Sequence, residues 1–299
     1  MGGDPQALQR FLSENVPDRC TLRSALMEFA ALQRGLGVER FDQKIILVGF
    51  PDSLVPFVGM SGPDTTRMGQ LVCGFRDSQR QLWQAAGLCV APHAVFLPTQ
   101  PKTAAAYATE LGWPVTVRPA RLEGTRGITR GIDNSKEFRA AFRRADRAYG
   151  DEPGMNLVLV EPTAAGDRFD FYVVGDRLVS VTHRPTADVY VDVTDATHPR
   201  LAGVAVDAVT AIPGLAHAQV TMVAPTVSPA DDAEPPYILE DVASAVTPSG
   251  QFPTQGQPRD VAGAIIDHYL TAPRWKLPHS VAHQPPADAG PAPGWLVVQ

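Results

Sequence analysis

The chain has 299 residues, 44% hydrophobic and 19% charged, with a formal net charge of −6. This length supports a large core spread over about two or three subdomains, and the acidic balance excludes a global basic field for nucleic acid. No run of about 18 apolar residues occurs, which excludes a membrane-spanning helix.

In chain order, residues 4–35 read as helix, with Leu8, Phe11 and Leu12 apolar and then "LRSALMEFAALQRGLG". "KIILVGF" (44–50) reads as a buried strand and "GMSGPDTT" (59–66) as a loop. Residues 65–87 read as helix in two pieces broken near Gly74, with Gly87 as the stop. "CVAPHAVFLP" is extended, residues 102–112 are helix, and "PVTVRPA" (114–120) is strand. A glycine loop and a strand to Ile132 follow. Asn134 or Ser135 then caps a basic helix to Tyr149, a face that solvent alone explains. "MNLVLVEP" (155–162) is strand, and 168–185 is a hairpin turning at Gly175-Asp176. Residues 200–214 are helix, and 218–225 pairs with 236–246 across the acidic turn "TVSPADDAEP". A last helix spans 258–270, followed by a Pro/Ala-rich tail. The order predicts a mixed α+β fold without internal repeats. Cys20, Cys73 and Cys89 show no metal-ligand spacing, and the N-terminus lacks an apolar signal core, as in a reduced cytoplasmic protein.

The stretch "VTVRPARLEGTRGITRGI" (115–132) has two readings. Arg118, Arg121, Arg126 and Arg130 around Gly124 and Gly127 suit phosphate, or they decorate an ordinary hairpin. Its neighbours decide. The order "AAGLCVAP", "ELGWPVTVRP", glycine loop, helix, "LVLVEP" resembles the ATP-grasp superfamily over about residues 70–270. The nearest likeness is to the cyanophycin-synthetase and glutathione-synthetase-like carboxylate–amine ligases. That likeness divides the chain into a small N-terminal α/β domain (1–70), a lobe with the glycine loop (71–162), a C-terminal lobe (163–272) and the tail (273–299).

The resemblance implies ATP between two lobes and magnesium on its phosphates. A substrate carboxylate would become an acyl-phosphate that an amine converts to an amide, because the moving phosphoryl group needs its charge neutralised. It places Arg118 and Arg76 at positions where relatives carry phosphate-binding lysines, and an arginine fork does not equal an ammonium. It places Gly124, Arg126 and Gly127 over the phosphates, Val160 and Glu161 at the adenine-reading hinge, and Arg184 at substrate carboxylate or acyl-phosphate. Arg118 and Arg184 are thus the catalytic candidates.

The metal positions fall on Glu240 and Thr221, with Val242 where relatives carry Asn. One carboxylate and a hydroxyl make a poor magnesium cage, and strand alternation turns Asp241 to the face opposite Glu240. Asp170 reverses the charge of an arginine common in relatives. Two functions follow: an ATP-dependent ligase of amino acids or peptides, or a non-catalytic ATP-grasp-like protein that binds a nucleotide, peptide or partner protein. Neither calls for nucleic acid or membrane. Many relatives are dimers or tetramers, which leaves a homo-oligomer open.

Overall fold

The structure is a computed structural model describing residues 5–16, 18–150, 156–186, 188–229, 236–244 and 247–271. Most of the acidic turn 226–235 and the tail 273–299 lie outside the described residues. Among the described residues the chain divides into two compact units, one of residues 5–63 with 266–271 and one of residues 64–265.

The first unit holds helices α1 (Pro5–Asn15) and α2 (Leu22–Gln33) and an antiparallel sheet β1 (Gly37–Arg40), β2 (Ile45–Phe50), β3 (Ser53–Val58). The expected single helix over 4–35 is two. The Asn15 side chain donates to Phe11 O, and the amides of Arg19 and Cys20 donate back to Asn15 O, which turns the chain. Strands β1 and β3 go unread in the sequence. β3 carries Pro56, which an edge strand tolerates. Tyr269 packs edge-on against Phe57 with ring centroids 5.0 Å apart.

The second unit opens with α3 (Arg67–Gly74) and α4 (Arg76–Ala85), split at Phe75 beside the expected break. A four-stranded antiparallel sheet follows, in the order β4 (Ala94–Phe96), β7 (Val158–Pro162), β5 (Val115–Pro119), β6 (Thr129–Ile132). Helices α5 (Pro101–Leu111) and α6 (Ser135–Arg147) pack on it, burying Ala104, Ala108, Phe138 and Phe142 against Val115, Val117, Val158 and Val160. The Asn134 side chain caps α6 by accepting from the amides of Lys136 and Glu137.

The five-stranded antiparallel sheet has the order β10 (Val189–Asp192), β9 (Arg177–Thr186), β8 (Asp167–Val174), β11 (His217–Ala224), β12 (Ile238–Ala243). Phe171, Val173, Val220 and Met222 share its core with Leu201, Val204 and Ala208 of α7 (Pro199–Thr210) and with Trp83 of α4. The Trp83 indole donates to Ala208 O at 2.9 Å, so the largest buried side chain leaves no donor unpaired. α8 spans Val261–Thr271. The α+β class read from the sequence is the observed one.

Candidate functional site

Six arginines and four carboxylates meet where the four- and five-stranded sheets of the second unit come together. Arg76 and Arg80 are four residues apart on α4 and therefore share a helix face; both are 1% exposed. Arg80 holds Glu161 Oε2 from Nη2 at 2.7 Å and Nε at 3.1 Å, and donates to Glu240 O. Arg76 donates to Asp241 Oδ2 at 3.1 and 3.2 Å, to Gly124 O at 2.7 Å, and to the carbonyls of Pro119 and Leu122. The glycine loop thus lies with its carbonyls turned to a buried guanidinium.

Glu240 is the centre of the network. Its Oε1 accepts from Arg118 Nη2 at 2.7 Å and from Arg130 at 2.6 and 3.0 Å, and Arg168 Nη2 lies 2.6 Å from its Oε2. Arg118, 0% exposed, also has Nε 3.5 Å from Glu161 Oε1. Burial opposes the Glu240 charge, but Arg118, Arg130 and Arg168 reverse that and hold its carboxyl at about 2. Burial likewise opposes the Arg118 charge, and Glu161 and Glu240 outweigh it, so its pKa is raised. Burial dominates for Arg168 and brings it down to about 10, still charged at neutral pH.

A bulge makes this geometry. Thr221 of β11 faces Asp241, whereas Met222 faces Leu239, so Glu240 is the extra residue on β12. Alternation predicts that Glu240 and Asp241 point to opposite faces; the bulge instead lets both carboxylates meet arginines, Glu240 through Arg118 and Asp241 through Arg76.

Thr221 and Glu240, the expected metal pair, are each turned to other partners. The Thr221 hydroxyl donates to Asp170 Oδ1 at 2.7 Å, and Glu240 is surrounded by three cations. Among the described residues no group of three or more His, Cys, Asp or Glu side chains could hold a metal ion. Magnesium needs near-octahedral oxygen coordination, and this donor set does not fit it. Arg184 Nη1 lies 3.5 Å from Asp170 Oδ2, so the charge reversed at Asp170 is met by the arginine expected to take a substrate carboxylate.

Val160 is buried in β7, paired with Ala94 and Val117. Gly124 joins the network only through its carbonyl. Arg126 and Gly127 are elsewhere, in a groove of about 490 Å³ with Arg143, Arg144 and Arg147 of α6. Gly127 has φ +79°, and a Cβ there would lie 2.5 Å from that of Ala148, so only glycine fits.

Arg80 and Arg168 go unread in the sequence. Both carried a signal: Arg80 follows Arg76 by one helical repeat, and Arg168 shares a strand face with Asp170.

The glycine-loop sheet and the five-stranded sheet have the ATP-grasp fold, and the chain resembles carboxylate–amine ligases in structure and sequence. The crystal structure of a bifunctional glutathione synthetase from Pasteurella multocida shares it with a TM-score of 0.64 at 18% identity, covering 89% of this chain and 46% of that one. In sequence, 200 residues (64% of this chain) are 26% identical to the glutathione biosynthesis bifunctional protein of Pasteurella multocida. A further match, 35% identical over 72 residues, is to a D-alanine–D-alanine ligase of Mycobacterium ulcerans, covering 24% of this chain and 19% of that one. The chain spans 25% of the length of the bifunctional protein. No protein-family model matches. Among the described residues no helix is long and apolar enough to cross a membrane.

Proposed function

We propose that this chain is a ligase-derived binding protein. It holds an anionic ligand of the phosphate or carboxylate type in its arginine-lined cleft and does not form an acyl-phosphate. The observation that carries this reading is Glu240, whose carboxylate oxygens face Arg118, Arg130 and Arg168 rather than an open metal position. Val242 is apolar and 1% exposed, and it adds no oxygen ligand. Phosphoryl transfer relies on metal-assisted neutralisation of charge, and the residues here supply arginines but no cage for the metal.

A second reading, an ATP- and magnesium-dependent ligase joining amino acids or peptides, is favoured by the likeness over 200 residues to a glutathione biosynthesis protein. It requires Glu240 to leave its arginines when nucleotide enters. Coupled detection of ADP release separates the two. With Mg²⁺, ATP and mixtures of amino acids, the binding protein releases no ADP above the protein-free control. Release that needs magnesium and rises with one amino acid would establish the ligase.

A further inference from the structure

Beside the hinge strand β7 lies a cavity of about 220 Å³, walled by Arg80, Arg130, Arg168, Glu161, Glu240 and Thr163 among others. Pockets for drug-sized ligands run to about 300–1,000 Å³, so this one suits a smaller guest than a whole nucleotide. Its charge is unbalanced. Its wall carries Arg80, Arg130 and Arg168 against Glu161 and Glu240, one positive charge in excess, although each of these arginines has an ion-pair partner. The two carboxylates on the cavity wall are already engaged: Glu161 by Arg80 and Arg118, Glu240 by three guanidiniums.

Two of the wall's cations keep capacity for a guest. Arg130 and Arg168 have side chains 31% and 27% exposed, whereas Arg118 and Arg80 are sealed. Arg168 Nε is itself buried and makes no hydrogen bond among the described residues, so it is the exposed end of the guanidinium that can reach a guest. The Thr163 hydroxyl accepts from the Gly131 amide and is within 2.9 Å of the Thr116 hydroxyl, which adds neutral hydrogen-bonding groups to the wall.

We propose that this cavity is a metal-independent site for a phosphate-type oxyanion, held by Arg130 and Arg168. The site rests on the non-ligating reading and deepens it: guanidinium forks, which match phosphate oxygens in pairs, provide the charge neutralisation that a magnesium ion would otherwise bring. Arg168 is the residue on which the site depends, since its position on β8 aims one fork at both Glu240 and the cavity.

The test is calorimetric titration of the full chain with inorganic phosphate in EDTA. One phosphate per chain is expected, with the same affinity when excess Mg²⁺ replaces EDTA. Arg168→Gln weakens binding by about tenfold or more, the scale of a lost charge-assisted bond. Arg143→Gln in the α6 groove leaves it unchanged, and Glu240→Gln, which removes the competing anion, tightens it. If Arg168→Gln does not fold, as judged by its melt, Arg130→Gln gives the same reading from a more exposed position. Phenyl phosphate then distinguishes the source: tighter binding than phosphate supports a phosphorylated small molecule, weaker binding supports the free ion. The site is overturned by the absence of saturable heat, by wild-type affinity in Arg168→Gln, or by loss of binding in Arg143→Gln. A protein that releases ADP with magnesium yet binds phosphate through Arg168 in EDTA loses only the non-ligating reading. One that does neither loses only this site.

Discussion

Glu240→Gln is the perturbation that the network answers most sharply. The residue is 8% exposed, and its carboxyl is moved from an ordinary 4.5 to about 2. At about 1.4 kcal/mol per pH unit, that corresponds to about 3 kcal/mol of folding stability carried by the ionised group. The pKa is depressed in the folded protein, so the contribution is fully present above about pH 4.5 and is lost as pH falls towards 2. Glutamine removes it and leaves Arg118, Arg130 and Arg168 crowded without their anion; breaking a buried pair from one side costs about 3–5 kcal/mol. The two magnitudes agree. Urea unfolding followed by the fluorescence of Trp83, buried in the second unit, should therefore show the variant weaker by about 3 kcal/mol at pH 7. The gap should narrow steadily below pH 4.5. A neutral-pH difference under about 1 kcal/mol, or one that stays constant on acidification, would refute the idea that Glu240 is held ionised by these three cations.

Three further outcomes follow from the same geometry. Arg80→Met leaves Glu161 with Arg118 alone, at 3.5 Å, and should lower the melting temperature by the equivalent of about 3–5 kcal/mol, whereas Arg126→Gln in the exposed groove should shift it by no more than about 0.5 kcal/mol. Gly127→Ala meets both a positive φ and the Ala148 and Pro119 side chains, and thermal unfolding should register a loss of about 1–3 kcal/mol. In native thiol titration Cys89, which is exposed, should react first; Cys73, buried with its thiol pushed up to about 12 by desolvation, should stay silent until the protein unfolds.

The helices and long strands were legible because their apolar residues recur with the right period and their ends carry caps and stops. Asn134 before α6 and Gly175 between β8 and β9 are examples. The short strands β1 and β3 were not, since four residues of mixed polarity or a proline within the run carry little signal. At the site, Arg76, Arg118, Glu161 and Glu240 could be picked out by position. Their mutual pairing could not, because it depends on a one-residue bulge at Glu240 and on separations of up to 165 residues between partners. Periodicity assumes an unbroken strand, so a bulge reverses which neighbouring carboxylates share a face. Arg168 shows the other gap: alternation with Asp170 gives its face, but only the folded sheets reveal that the face looks onto Glu240.

The central claim, that arginines occupy the place of a metal ion around Glu240, is tested most directly by manganese binding followed by electron paramagnetic resonance, with and without ATP. Titration should reveal no protein-bound Mn²⁺ beyond what the nucleotide itself chelates, and no change in Glu240→Gln. A stoichiometric site that appears with the wild-type chain and disappears in Glu240→Gln would contradict the account.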